Sequence, residues 1–179
     1  MNLPNKITLL RIIMIPFFTA ALLIEFPYHQ PIAAVLFIVA ALSDSLDGYL
    51  ARSRNLVTDF GKFMDPLADK LLVCSALICF VQLGSVPAWI VIIIIAREFA
   101  ITGLRTLAAA DGIVIAASKW GKAKTMTQMI AIVIILFGNW PFYLINIPAG
   151  TIMIYIATIM TIISGVDYFI LNRKVFRTM

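Results

Sequence analysis

Six apolar segments, each about as long as a membrane-crossing helix, dominate this 179-residue chain. A bilayer core requires about 20 helical residues, and short polar or Pro-containing joints separate the segments. The predicted spans are 7–26, 31–53, 65–84, 87–110, 119–138 and 148–171. Because 62% of the residues are apolar and only 13% are charged, a soluble domain would expose large apolar patches. The sequence therefore predicts one all-α, polytopic membrane domain over residues 1–179.

The basic residues predict the orientation of the spans. If the N-terminus faces the cytoplasm, all fourteen Lys and Arg residues fall on the cytoplasmic half, as the positive-inside rule requires. The net charge of +5 could indicate a nucleic-acid partner, but these residues lie at helix ends rather than in tails or stripes. We therefore predict a multi-pass protein of the cytoplasmic (inner) membrane that binds no nucleic acid.

Four of the spans become polar toward their cytoplasmic ends. The second span is apolar up to Leu42 and then meets Asp44 and Asp47, and the third begins with Asp65 and Asp69. The polar turns must lie at membrane depth for these segments to be long enough to cross the bilayer. The pattern predicts six helices around a polar cavity that opens to the cytoplasm.

The carboxylates in the second and third spans occur in pairs. Asp44 and Asp47 are three residues apart and Asp65 and Asp69 are four apart, so each pair shares one helical face. Four uncompensated charges at mid-membrane would cost on the order of 10 kcal/mol. Mg²⁺ prefers carboxylate and phosphate oxygens, so a site for two metal ions fits the pattern. The alternative is a set of interfacial salt bridges with Arg52, Arg54, Lys62 and Lys70.

Small residues accompany the acids. Gly48 follows Asp47, Gly61 precedes Asp65 by one turn, and Ala51 and Arg52 lie one turn beyond Asp47 and Gly48. Small side chains leave space for a bulky group near the metals, or they permit close helix packing. Arg52 could reach a phosphate.

These residues resemble the signature of the CDP-alcohol phosphatidyltransferases, D-x2-D-G-x2-A-R, seven or eight residues, then G-x3-D-x3-D. All eight fixed positions match, and eight residues separate the two halves. The resemblance implies transfer of a phosphatidyl group from CDP-diacylglycerol to an alcohol, with CMP leaving by direct displacement. It also implies a homodimer that uses Mg²⁺ or Mn²⁺ as a pair of ions.

The resemblance assigns roles to individual residues. It implies that Asp44, Asp47 and Asp65 hold the metal ions, and that Asp69 completes the site and acts as the base. The positions it implies for the CDP-lipid are Gly48, Ala51, Arg52 and Gly61, with Asn5 and Thr8 as a weaker match near the N-terminus.

Two further stretches, residues 95–105 and 121–125, resemble the branch of this family whose acceptor is sn-glycerol 3-phosphate. An acceptor with its own phosphate requires additional cations, and Arg97, Arg105, Lys122 and Lys124 are the candidates. Inositol phosphate, serine and a second phospholipid are alternative acceptors. A divalent-cation transporter is the alternative from another class, but the outer joints hold no acid besides Glu25.

Overall fold

The computed structural model describes residues 3–53, 59–110, 112, 115, 116 and 118–173. Within this set, the side chains of residues 3, 4, 44–53, 59, 60, 62, 63 and 110 are outside the description. The described chain is helical and contains no β-strand. The helices are α1 (Leu3–Leu23), α2 (His29–Ser53), α3 (Asp59–Gln82), α4 (Ala88–Ala110), α5 (Lys119–Leu136) and α6 (Ala149–Leu171), with a short 3₁₀ helix, η1 (Phe142–Ile145), before α6.

The contacts divide the chain into two compact units. The first comprises Met1–Leu83 with Leu136–Gly138, and the second comprises Gly84–Ile135 with Asn139–Met179. The first unit therefore holds α1, α2 and α3, and the second holds α4, nearly all of α5, and α6.

In the first unit, α1 packs along α2 and also contacts α3. Phe18 of α1 and Phe37 of α2 are both fully buried, with their ring centroids 5.6 Å apart at a tilted angle. Ala33, Ala34 and Ala40 are buried along α2, and such small side chains allow helices to approach closely in a membrane. This packing holds α1 next to the two helices that carry the carboxylates.

In the second unit, α4 packs against α6. The Trp89 and Tyr155 rings lie 6.0 Å apart, and Ile101 and Leu104 of α4 form a buried cluster with Tyr168 of α6. The chain between α5 and α6 is fixed by the Asn139 side chain, whose Oδ1 accepts a 2.6 Å hydrogen bond from the Gly150 N–H. The contacts between α4 and α6 fix the helix that carries Arg97 and Arg105.

All six predicted helices are present, and the predicted all-α class is confirmed. Two of them, Asn5–Leu23 and Ala149–Leu171, are long and apolar enough to be candidate membrane spans among the described residues. The helices α3, α4 and α5 are less apolar overall, because each carries at least three charged residues. The helix α3 begins at Asp59, six residues before the start of the predicted span 65–84.

Candidate functional site

The paired carboxylates lie in two helices of the same unit. Asp44 and Asp47 belong to the second half of α2, and Asp65 and Asp69 belong to the first half of α3. α2 contacts α3, and both Asp65 and Asp69 are partly buried. The side chains of Asp44 and Asp47 lie outside the described residues, and the described side chains alone form no cluster of three potential metal ligands.

Asp65 is held by a residue of the first helix. The Thr8 hydroxyl of α1 donates a 2.7 Å hydrogen bond to Oδ1 of Asp65, and Thr8 itself is only 1% exposed. A hydrogen bond that orients a carboxylate in this way is typical of the residues around metal ligands. The sequence indicated a place for Thr8 near the CDP-lipid, and the structure adds this contact with a predicted metal ligand.

A second contact joins α1 to α2 directly before Asp44, the first residue of the family signature. Arg11 is 1% exposed, and its Nε donates a 3.1 Å hydrogen bond to Oγ of Ser43. The Ser43 hydroxyl in turn donates to the backbone carbonyl of Ala40 at 2.7 Å. Ser43 directly precedes Asp44, so this chain of hydrogen bonds anchors the helical turn that leads into Asp44.

The residues predicted to bind the CDP-lipid also belong to the first unit. Asn5 and Gly61 are buried, Asn5 in α1 and Gly61 in the first turn of α3. Gly48, Ala51 and Arg52 lie within α2, but their side chains are outside the described residues. The predicted nucleotide residues therefore come from α2 and α3, which carry the carboxylates, and from α1, which packs against both.

In the second unit, Glu98 binds two of the predicted acceptor cations. Its Oε1 accepts a 3.1 Å hydrogen bond from Nη1 of Arg97 and a short contact from Nζ of Lys124. Arg97 also donates through Nη2 to the hydroxyl of Ser164, a buried residue of α6. The group joins α4, α5 and α6, and Lys124 is almost completely buried, with 3% of its side chain exposed.

The other two predicted acceptor cations are accessible. Arg105 is exposed and donates a 3.2 Å hydrogen bond through Nη2 to the backbone carbonyl of Ile115. Lys122 is also exposed, and its ammonium forms no ion pair within the described side chains. The structure thus separates the four cations into an accessible pair and a pair already bound to a carboxylate.

Glu98 is the site residue that sequence analysis missed. The sequence signal was present, because Glu98 is the only acid in α4 and lies beside Arg97. Its partner Lys124 is 26 positions away in another helix, and no local periodicity predicts that pairing.

The chain is similar to proteins with related names over nearly its whole length. The model of the family described as CDP-alcohol phosphatidyltransferase matches residues 1–163, which extend across both units. A relative from Bacillus subtilis, named CDP-diacylglycerol–glycerol-3-phosphate 3-phosphatidyltransferase, is 48% identical over 99% of this chain and 98% of its own. A relative of the same name from Rickettsia bellii is 39% identical over 98% and 97%. A probable phosphatidylglycerophosphate synthase from Mycobacterium tuberculosis is 40% identical over 93% of this chain and 79% of its own.

Proposed function

The chain belongs to the CDP-alcohol phosphatidyltransferase family, and from this premise we propose that it makes phosphatidylglycerophosphate. It is a phosphotransferase that moves the phosphatidyl group of CDP-diacylglycerol to sn-glycerol 3-phosphate and releases CMP. The observation that carries this proposal is the 48% identity, over 99% of the chain, to a relative named for that reaction.

Divalent metal ions are general in this family, and the donor set fits them. The candidate ligands Asp44, Asp47, Asp65 and Asp69 are all carboxylates, which hard cations prefer, and Asp65 is oriented by the Thr8 hydroxyl. We propose that these residues hold two ions, Mg²⁺ or Mn²⁺. When bound, such ions would neutralise negative charge on the diphosphate oxygens and make the attacked phosphorus more electrophilic.

The proton transfer in this reaction is assigned to one of the four carboxylates, Asp69. Asp69 accepts the proton of the acceptor hydroxyl, whose oxygen then bonds to the β-phosphorus while the bond to the CMP oxygen breaks. The proton goes to Asp69 and the electron pair of the broken bond leaves with CMP. Because one bond forms as the other breaks, no covalent enzyme intermediate is required.

The donor lipid is held by residues of the first unit. We propose that Asn5, Gly48, Ala51 and Gly61 line the space for the cytidine diphosphate group and that Arg52 binds a phosphate oxygen. Gly61 is buried in the first turn of α3, and we propose that a glycine stands there because a larger side chain would occupy the space of the planar base. Thr8 contributes by fixing Asp65.

The acceptor phosphate is held by residues of the second unit. Arg105 and Lys122 are exposed, so we propose that they contact the phosphate directly, since an accessible cation can exchange water for a ligand oxygen. Arg97 and Lys124 share Glu98 and therefore support the site with a fixed positive charge. This distribution favours an acceptor that carries a phosphate.

The proposed setting is the cytoplasmic (inner) membrane. We propose that all six helices cross it, that the active site faces a polar cavity on the cytoplasmic side, and that the protein is a homodimer surrounded by membrane lipid. The distribution of Lys and Arg supports the orientation, and the two candidate spans support the membrane location.

The test is CMP release by the purified protein in detergent or lipid. CDP-diacylglycerol is supplied with Mg²⁺ and, in separate reactions, with glycerol 3-phosphate, inositol phosphate, serine or phosphatidylglycerol. We expect release with glycerol 3-phosphate, together with a lipid product that carries a terminal phosphomonoester. If CMP is released only with one of the other alcohols, that alcohol is the acceptor. If no alcohol causes CMP release, the proposed transferase activity is overturned.

A further inference from the structure

The segment between α5 and α6 exposes a cluster of large apolar side chains. We call residues 139–147 the η1 segment, after the 3₁₀ helix within it, and none of the four η1 residues is buried. The most accessible side chains of the segment are 64–67% exposed: Trp140, Tyr143, Leu144 and Ile145. A contiguous apolar patch of this kind normally marks a surface that another molecule covers. The described part of the chain leaves this patch uncovered, which points to a partner.

The η1 segment is folded, so its exposed side chains are held in place by a defined backbone. Four of its backbone N–H groups donate hydrogen bonds of 2.9–3.2 Å to carbonyls within the segment, those of Tyr143, Leu144, Asn146 and Ile147. At its beginning, the Asn139 side chain accepts the hydrogen bond from the Gly150 N–H. Backbone groups that are paired internally lose no partner when they leave bulk water. These four donors therefore do not oppose transfer of the segment to an apolar environment.

The distribution of charge distinguishes between the possible partners. No charged residue occurs between Lys124 and Asp167, a stretch that contains the whole η1 segment and most of α6. Protein partners are selected largely through complementary charges, and an uncharged surface offers none, whereas the glycerol and acyl region of a bilayer requires none. The aromatic composition agrees with a bilayer, because Trp and Tyr are enriched at membrane–water interfaces.

A second group of aromatic side chains lies near the starts of α4 and α6. Trp89 is the second residue of α4, and its ring lies 6.0 Å from that of Tyr155, with both side chains exposed. Tyr155 is the seventh residue of α6, about 9 Å along the helix from its start. Exposed Ile152, Ile156 and Ile159 continue the apolar surface on one face of α6. The η1 segment therefore adjoins aromatic residues typical of an interface and the exposed side of a candidate membrane span.

We propose that the η1 segment lies in the membrane–water interface, where Trp140, Leu144 and Ile145 contact the glycerol and acyl region of phospholipids. The inference rests on the membrane setting of the proposed function and adds an element that binds lipid at the start of α6. The interface is favoured over the bilayer centre because a short 3₁₀ helix and the exposed Asn146 retain polar groups that water and lipid headgroups satisfy. Such an anchor sets the depth of the helix that follows it.

The test measures the depth of Trp140 by fluorescence quenching. The chain has three tryptophans, so Trp89→Phe combined with Trp120→Phe leaves Trp140 as the single one. The protein is reconstituted into phosphatidylcholine–phosphatidylglycerol vesicles whose lipids are brominated near the top or near the end of the acyl chain, and iodide is supplied on both sides. We expect the shallow bromolipid to quench more strongly than the deep one. The corresponding depth is about 10–15 Å from the centre of a hydrocarbon core about 30 Å thick. We also expect much weaker quenching by iodide than for free N-acetyltryptophanamide.

The matched control is Ile159→Trp in a chain whose three native tryptophans are replaced by phenylalanine. Ile159 is exposed and lies near the middle of α6, so we expect the deep bromolipid to quench this tryptophan more strongly than the shallow one. If neither bromolipid quenches the control, α6 does not cross the bilayer. The membrane setting of the proposed function then fails, and the inference fails with it.

Three results for Trp140 overturn the inference alone when the control behaves as expected. Strong quenching by iodide without quenching by bromolipids places the η1 segment in water. Shielding from both kinds of quencher means that protein covers the segment, as in an interface between two copies of the chain. Stronger quenching by the deep bromolipid places the segment in the hydrocarbon core rather than at the interface.

A second measurement keeps all three tryptophans and decides the matter if the first variant does not fold. A nitroxide is attached to Leu144→Cys in a chain in which both native cysteines, Cys74 and Cys79, are replaced by alanine. We expect the nitroxide to collide more often with oxygen, which concentrates in lipid, than with a water-soluble nickel complex. The reverse order, or protection from both reagents, overturns the inference.

Discussion

The hydroxyl of Thr8 donates a 2.7 Å hydrogen bond to Oδ1 of Asp65, joining the first helix of the chain to a carboxylate 57 residues later. Both residues belong to the first unit. The bond engages only Oδ1 of Asp65 and orients the carboxylate, so that Thr8 does not occupy Oδ2.

We expect Thr8→Val to weaken metal activation, because valine has the shape of threonine but cannot orient Asp65. Loss of a residue that orients a metal ligand typically costs 10- to 100-fold in metal affinity or activity. The measurement is the Mg²⁺ concentration for half-maximal CMP release. Thr8→Ser keeps the hydroxyl and should stay close to wild type, and an unchanged Mg²⁺ curve in Thr8→Val would contradict the positioning role.

The four aspartates should separate into ligands and a base. We expect Asp44→Asn, Asp47→Asn and Asp65→Asn each to abolish turnover and weaken metal binding. Asp69→Asn should lose rate by roughly 10²- to 10⁴-fold, the usual contribution of a general base, with a smaller loss of CDP-lipid binding. Turnover and Mn²⁺ binding are measured on the same preparations. Normal turnover in Asp69→Asn would remove it from the mechanism, and full activity in EDTA would reject the metal site.

Arg105→Ala and Lys122→Ala should each raise the KM for glycerol 3-phosphate. A charge-assisted hydrogen bond contributes about 1.5–3 kcal/mol, which corresponds to roughly 10- to 150-fold in binding. The KM for CDP-diacylglycerol should change little. Lys119→Ala is the control, since Lys119 is an exposed lysine at the start of α5 without an assigned ligand. If Arg105→Ala and Lys122→Ala change the KM for glycerol 3-phosphate no more than Lys119→Ala does, Arg105 and Lys122 contribute only to membrane topology.

Glu98→Gln should destabilise the protein because it leaves buried Lys124 without its counter-charge. Removing one partner of a buried ion pair costs about 3–5 kcal/mol, and the Glu98 and Lys124 side chains are only 19% and 3% exposed. Thermal unfolding in detergent is the measurement. The double variant Glu98→Gln with Lys124→Met removes both charges and should recover most of the loss. A single variant as stable as wild type would show that the pair contributes nothing.

Gly150 and Gly103 should respond to alanine in opposite ways. A Cβ on Gly150 would lie 2.6 Å from Cγ1 of Ile135 and 3.0 Å from Oδ1 of Asn139, so we expect Gly150→Ala to cost about 1–3 kcal/mol through overpacking. No atom lies within 4 Å of a Cβ on Gly103 in α4, and alanine there should stabilise the helix by up to about 1 kcal/mol. Equal thermal midpoints for the two variants would contradict this difference.

The six helices could be predicted because apolar runs and their polar joints are local properties of the sequence. The predicted span at 65–84 followed the apolar run, whereas the helix itself continues back through Gly61 to Asp59. The backbone hydrogen bonds of a helix form whether the side chains are polar or apolar. The end of an apolar run therefore need not be the end of a helix.

The carboxylate pairs of the site were visible in the sequence because three- and four-residue spacings define a helical face. The Thr8–Asp65 and Glu98–Lys124 contacts were not, since each joins residues of different helices whose relative rotation depends on packing. For the same reason, the sequence did not show that two of the four predicted acceptor cations, Arg97 and Lys124, are bound to Glu98.

Arg11 imposes an order on biosynthesis. Its guanidinium lies within the candidate span Asn5–Leu23, where a lone arginine costs about 2.5–3.5 kcal/mol on insertion scales at the helix centre. Its described partner, Ser43, belongs to α2. The hydrogen bond between Arg11 and Ser43 can form only once the second helix has been synthesised, and we expect the two helices to pass from the translocon into lipid together, as a hairpin.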